Sequence, residues 1–467
     1  MRPFLLTLIG LLLSGAPPAG PAGSSPPSVL TLDSGLHVLL YPHPGSGLVA
    51  SNVFVGAGST REEDRFAGSS HFLEHVLFNG TVRRTQEEIY AAADRMGAYN
   101  NATTRREYTH YMMVAPSERL AAALDLQADM LLNSTLPPEK FEKERGIVLE
   151  ELGKDRDDPD YAVERSLDEL LYGAMNDFAR PVLGTAETIG KLPREDVVAY
   201  YRRQYVPGNM RLVLMGDFDR AQALELVRNA FRLEAPAEPE PPLAGEPPLP
   251  GPACALAAPG RAVSRPVEAP RVVLEAVLAL PAGSPADDAA LSLLAWIAGG
   301  TKSGRIEGAL DREPAVAHDE ASAFLRYVEG ARHLALRVRL SEGADPRAGA
   351  ARVLATLESL PTVDAGELDA ARTALLAQEI SQLEQLHYYA IFQGDRIWHG
   401  SEGYGDAYLA ALEALDPEAL RGAARRFLDE GTLQIAAAGP GLVEADLDLA
   451  ELCVTNAEGG DHVETSQ

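Results

Sequence analysis

At 467 residues the chain is long enough for two to four domains of ordinary size. Its 46% apolar and 23% charged residues are the proportions of a globular, water-soluble protein. A formal net charge of -27 would repel a polyanion, which excludes nucleic acid as a partner; it serves either to solvate the surface or to draw in basic peptides.

The first residues, Met1-Arg2-Pro3, precede a short apolar run over 4–13, and small residues follow at Ala16, Ala19 and Ala22. That pattern predicts a secretory signal peptide over 1–22, cleaved near Ala19 or Ala22, and hence a periplasmic or secreted protein. The run is too short to span a bilayer, and no later stretch is apolar enough, so no membrane insertion is expected. Residues 29–32 and 36–41 read as two strands joined at Asp33-Ser34-Gly35, with His37 and His43 as structural or exposed members of the hairpin and its exit. A buried strand over 49–56 then leads to Ser69-Ser70.

Here the sequence reads Ser70-His71-Phe72-Leu73-Glu74-His75-Val76-Leu77-Phe78-Asn79-Gly80. On a helix His71 and His75 are one turn apart and project from one face. Glu74 lies on that face too, about 60° from His71. Two imidazoles at this spacing form a clamp for a divalent metal, and zinc suits them best. The carboxylate between them is placed to take a proton from water. Ser69 or Ser70 offers an N-cap, and Asn79-Gly80 a C-terminal stop. His-x-x-Glu-His is the signature of inverted zinc peptidases.

A helix follows over 85–96, then a strand pair over 98–104 and 108–114, and a helix over 117–132. The next helix starts at Pro137-Pro138-Glu139, with Phe141, Val148 and Leu152 within about 40° of one another as its buried stripe. Glu144 and Glu151, two turns apart, sit on the shoulder of that stripe, whereas Glu150 points into solvent. Of the two adjacent glutamates, Glu151 is therefore the one that reaches an interior metal. A helix over 191–201, a strand over 210–216 and a helix over 221–231 complete a first unit, 28–232.

Between 233 and 266 Pro, Ala, Glu and Gly dominate, which predicts a linker. The second unit, 267–455, reads as strands over 272–280, 317–324, 333–340 and 432–438, with helices over 286–298, 305–310, 347–360, 365–387 and 417–427. The two units mix strands and helices in a similar order, as a diverged duplication would. The fold class is α+β. The two cysteines, Cys254 and Cys453, either pair in an oxidising compartment or remain inert thiols. Residues 456–467 form an acidic tail expected to be disordered.

With these motifs in register the chain resembles the pitrilysin / insulin-degrading enzyme / mitochondrial processing peptidase family of zinc peptidases, in its short-chain bacterial type. The resemblance covers about residues 28–455. It rests on His71, Glu74 and His75, on Glu144-Arg145 with Glu151, which stands 76 residues after His75, and on the flanks Gly56-Ala57-Gly58-Ser59 and Leu77-Phe78-Asn79-Gly80-Thr81. It implies two homologous α/β half-domains, each an antiparallel-rich sheet covered by helices, which together form one half of a clamshell. It implies one Zn2+ per chain on His71, His75 and Glu151, with Glu74 as general base and Glu144 tuning the site from behind. It also implies an edge strand at Gly97-Ala98-Tyr99-Asn100-Asn101-Ala102-Thr103-Thr104, where Asn101 and Ala102 bind extended peptide substrate.

One departure stands out. Where the family completes its site with an Arg and a Tyr seven residues apart, this chain has Asp311 and His318, with Arg312 as a shifted substitute at best. Such a pair would bind the developing oxyanion. The expected assembly is therefore a heterodimer with a related chain that supplies the Arg/Tyr pair, with a homodimer as the alternative. The expected function is an exported zinc metalloendopeptidase that cuts peptides or small unfolded polypeptides in an enclosed chamber. The competing reading is a non-catalytic peptide-binding or assembly subunit of the same family.

Overall fold

The computed structural model describes residues 28–155, 158–174, 176–232, 260–328, 331–384, 386–399 and 404–447. The expected signal peptide, most of the linker, the acidic tail, Cys254 and Cys453 lie outside the described residues.

Among the described residues, twelve strands form two six-stranded sheets. The first holds β1 (Ser28–Thr31), β2 (His37–Pro42), β3 (Leu48–Val55), β4 (Tyr99–Thr104), β5 (Thr109–Pro116) and β6 (Met210–Gly216), in the order β1-β2-β6-β3-β5-β4. The second holds β7 (Arg261–Pro266), β8 (Val272–Leu280), β9 (His318–Val328), β10 (Ala331–Leu340), β11 (Thr432–Gly439) and β12 (Ala445–Leu447), in the order β12-β7-β11-β8-β10-β9. Matching β2 through β6 to β7 through β11 makes the two orders identical. Each sheet is antiparallel apart from one pair, β2 with β6 and β7 with β11. The outermost place is filled by β1 in one sheet and by β12, from the far end of the chain, in the other. A duplicated α+β unit accounts for this pattern.

The helices are α1 (Ser69–Val76), α2 (Gln86–Met96), α3 (Leu120–Leu132), α4 (Pro138–Asp155), α5 (Pro159–Tyr172), α6 (Ala186–Lys191), α7 (Arg194–Gln204) and α8 (Arg220–Ala230) in the first unit. The second unit has α9 (Pro285–Gly299), α10 (Arg305–Leu310), α11 (Pro346–Ser359), α12 (Ala365–Glu384), α13 (Leu386–His399), α14 (Tyr404–Ala414) and α15 (Pro417–Glu430). Among the described residues, no helix is long and apolar enough to cross a membrane.

One face of each sheet packs on its own helices. Phe72 of α1, Ile89 of α2, Leu124 of α3 and Phe141 of α4 share a fully buried core with Val53, Met113 and Leu212 of the first sheet. The opposite faces are covered by exchange. Val163 and Leu167 of α5 are buried against Val273, Val277, Ala335 and Ala436 of the second sheet. Reciprocally, Ile397 and Trp398 of α13 pack on Ala50, Phe54, Tyr108 and Val213 of the first. Polar contacts fix both crossings: Asp160 takes Arg337 at 2.9 Å and Arg339 at 3.1 Å, and Tyr108 Oη donates to Asp395 Oδ1 at 2.8 Å.

Several elements differ from expectation. Residues 261–266, assigned above to the linker, form β7, because Ala262 and Val263 are buried in the second sheet despite the Pro-rich sequence before them. The helix placed at 191–201 is instead two, since Lys191 ends α6 and Pro193 opens α7. Of the helix placed at 365–387, the described residues up to Glu384 lie in α12 and the last two, Leu386 and His387, in α13. Helices α5, α13 and α14 and strand β12 are absent from the expected elements.

Candidate metal centre

Helix α1 begins differently from the sequence expectation. Its N-cap is Gly68, in the left-handed region at φ 94°, and neither Ser69 nor Ser70 caps it. A Cβ at Gly68 would lie 2.6 Å from the Leu183 carbonyl, so only glycine fits. The free N–H groups are taken by Glu62, a buried carboxylate that accepts from Gly68 N–H and Ser70 N–H, each at 2.6 Å. Burial pushes the Glu62 carboxyl up to about 7, against the pull of those two donors. The C-terminal stop holds: a short 3-10 turn, Leu77–Asn79, carries the helix into Gly80.

Phe72, Leu73 and Val76 bury the inner face of α1, with the Phe72 ring centroid 4.6 Å from that of Phe141 on α4. This packing sets the distance between the two helices and leaves His71, Glu74 and His75 half-buried on the facing side. On α4, Phe141 and Val148 anchor the core. Glu144 and Glu151 point towards α1, while Glu150 is exposed and pairs with Lys154 at 3.2 Å.

The three ligand atoms of His71, His75 and Glu151 lie within 4.8 Å of one another, and no other such group of His, Cys, Asp and Glu occurs among the described residues. Glu151 Oε2 is 3.8 Å from His71 Nε2 and 3.6 Å from His75 Nε2. Two ligands held about 2.1 Å from one tetrahedral zinc are about 3.4 Å apart, so these separations fit a shared ion. Two nitrogens and one carboxylate oxygen are a donor set that suits a zinc ion whose fourth position stays open.

His75 Nδ1 lies 3.3 Å from Glu144 Oε2, which turns Nε2 towards Glu151. Glu144 is itself held by Asn79 Nδ2, which donates to its Oε1 at 3.1 Å. Gln86 donates to Asn79 Oδ1, and Lys140 Nζ donates to Gln86 Oε1 at 2.5 Å. His71 has no such support, since its Nδ1 is buried without a hydrogen-bond partner. Burial, followed by the neighbouring His75, lowers the His71 pKa to about 4. For His75 burial acts downward too, but the Glu144 hydrogen bond and the Glu151 and Glu74 carboxylates outweigh it and raise the pKa. Burial opposes ionisation of Glu144, yet hydrogen bonds from His75 and Asn79 hold its carboxyl below the usual range. Glu74 is raised by burial, partly countered by Thr104, whose hydroxyl donates to Glu74 Oε2 at 2.6 Å.

Asn101 and Ala102 lie on β4, the outermost strand of the first sheet, with no strand on its far side among the described residues. Arg105 N–H donates to the Tyr108 carbonyl at 2.8 Å, closing the turn to β5. Antiparallel alternation from that pair turns the backbone of Asn101 and Thr103 towards β5, and that of Asn100, Ala102 and Thr104 outward. The Asn101 side chain is exposed, while Ala102 packs half-buried on the core beside α1. Asp311, Arg312 and His318 stay within the second unit: the Arg312 carbonyl accepts from Arg352, and His318 Nε2 lies 2.7 Å from Glu307.

Glu62, Asn79 and Thr104 are the supporting residues that sequence reasoning did not assign. Asn79 carried a signal, because it follows His75 by one helical turn. Glu62 acts from irregular chain before α1, and Thr104 acts from β4 onto α1, so no periodicity connects either to its partner.

Residues 38–186, which contain every one of these proposed ligands and supports, match the family described as Insulinase (Peptidase family M16), and residues 191–375 match Peptidase M16 inactive domain. An uncharacterized zinc protease of Mycobacterium tuberculosis is 35% identical over 214 residues, 46% of this chain and 49% of its own length. The mitochondrial-processing peptidase subunit beta of Neurospora crassa is 32% identical over 208 residues, 43% of this chain and 42% of its own. The chain thus spans about half the length of the curated relatives it matches. Among solved structures, a protease from Helicobacter pylori shares the fold with a TM-score of 0.78 at 20% identity, over 89% of this chain and 99% of that one. A periplasmic protease from Escherichia coli does so with a TM-score of 0.69 at 18% identity, over 96% of this chain and 52% of that one. Matched in both its units, and sharing its fold with solved proteases, the chain belongs to peptidase family M16, a family that includes zinc proteases.

Proposed function

We propose that the protein is an exported zinc metalloendopeptidase acting on peptides or small unfolded polypeptides. The observation that carries this reading is the convergence of His71, His75 and Glu151 with Glu74 on the same helix face. His71, His75 and Glu151 would hold the ion, which supplies Lewis acidity towards water and a peptide carbonyl. Glu74 takes the proton lost by the attacking water and passes it to the departing amine. Glu144 fixes the His75 ring so that Nε2 faces the ion.

Substrate would lie extended along β4, paired through the outward N–H and C=O groups of Asn100 and Ala102, with Asn101 beside it. Backbone pairing tolerates many side chains, as an enzyme of broad taste requires. The segment 310–318 offers Asp311 and His318 where an Arg/Tyr pair would complete the oxyanion site, so we place that pair on a second, related chain. The two chains would close over the sheet edge to form the chamber.

The substitution Glu74→Gln tests the catalytic reading against that of a non-catalytic peptide-binding subunit. It is expected to abolish peptide hydrolysis while zinc is retained. Hydrolysis that persists in the zinc-loaded variant would show that another group is the base.

A further inference from the structure

We infer that Thr104 is a positioning residue for Glu74, holding the carboxylate at the junction of the metal cluster and the sheet edge; this rests on the reading of Glu74 as the base. Thr104 is the last residue of β4 and donates its hydroxyl proton to Glu74 Oε2 at 2.6 Å. The neighbouring hydroxyl does not compete for that carboxylate. Thr109 Oγ1, 3.3 Å from Thr104 Oγ1, commits its own proton to the Ala57 carbonyl at 2.8 Å. It can only accept from Thr104, whose single proton the anionic carboxylate takes.

The alternation of β4 places Thr104 in the outward-facing set with Asn100 and Ala102. The row of backbone groups open to an extended peptide therefore ends at the residue that grips Glu74. A chain laid along β4 is led directly to that carboxylate.

The grip is anchored from behind. Arg106 Nη2 donates to Asp168 Oδ2 at 2.6 Å and to Glu164 at 3.2 Å, both on α5. On the other side Tyr108 is bonded to Asp395, and Glu107 lies 2.8 Å from His399, both on α13. The turn after Thr104 is thus held by the two helices that cross between the units. Its hydroxyl is fixed by the architecture and not by a free loop.

The test uses the zinc-loaded protein assembled with the second, related chain that completes the site, and an internally quenched, arginine-containing peptide. In Thr104→Val the kcat is expected to fall roughly 10–100-fold, the worth of one hydrogen bond to a charged group. KM, zinc content and thermal midpoint should stay near wild type, and Thr104→Ser should recover most of the rate. An unchanged kcat in Thr104→Val, a loss confined to KM, or failure of the serine to rescue would each overturn the inference. If the valine variant does not fold, Thr104→Ala is judged by the same criteria. Glu74→Gln run alongside separates the two claims. Activity in that variant refutes the base assignment, whereas its inactivity with full activity in Thr104→Val refutes only the role of Thr104.

Discussion

On His75 the two ring nitrogens face different carboxylates, Glu144 at 3.3 Å from Nδ1 and Glu151 at 3.6 Å from Nε2. The first can only orient the ring; the second shares its inner side. Replacing Glu144 by Gln keeps the shape but weakens the hold on that ring, and zinc affinity should fall about 10–100-fold. A competition titration against a chelator reads this directly, and unchanged affinity would remove Glu144 from the site. At this scale the sequence was informative wherever one helix carries both residues. The turn of roughly 100° per residue placed Glu151 inward and Glu150 outward, and the seven-residue step put Glu144 beside Glu151. It was silent on Glu62, whose partners lie six to eight residues away across irregular chain, and on Thr104, whose partner lies thirty residues away on a different element.

The segment between α1 and α2 is fastened by one buried residue of α3. Asp129 accepts from Thr81 Oγ1 and Arg83 Nε at 2.8 Å each, from Arg84 Nη1 at 2.5 Å and from Asn133 Nδ2 at 3.1 Å. Burial works to raise its carboxyl, but these donors outweigh it and hold the pKa below the ordinary 3.8. A carboxyl depressed in the native state stabilises the fold above its unfolded pKa, and that contribution is lost as pH falls through the native value. Asp129→Asn should therefore cost about 2–3 kcal/mol at neutral pH. In urea titrations the gap from wild type should close as acid takes the pH below 3.8; a gap that widens in acid would contradict the assignment. Element boundaries were legible where caps mark them, as at Thr85 and Gly97 around α2. They were not legible at β7, which owes its strand to its neighbours in the second sheet and not to its own composition.

The two units are interlocked by exchanged helices, so each sheet has one face that its own unit leaves uncovered. Leu167 of α5, fully buried against the second sheet, tests this arrangement. Leu167→Ala should lower stability by about 2–5 kcal/mol and shift one common unfolding transition seen by all probes. Separate transitions for the two units would contradict the interlock. A broadly similar order of strands and helices in the two halves could be read from hydrophobic periodicity, but without β7 the matching strand orders could not. The exchange could not, because neither α5 nor α13 was among the expected elements, and a buried stripe such as Val163 and Leu167 does not state which sheet it covers.

The central claim is that two imidazoles of α1 and one carboxylate of α4 hold a single zinc ion. Metal analysis of wild type, Glu74→Gln and Glu151→Gln, each dialysed against the same low free-zinc buffer at neutral pH, tests it most directly. The account predicts one zinc per chain in the first two and essentially none in the third. Full zinc occupancy in Glu151→Gln, or none in a folded wild type, would contradict it.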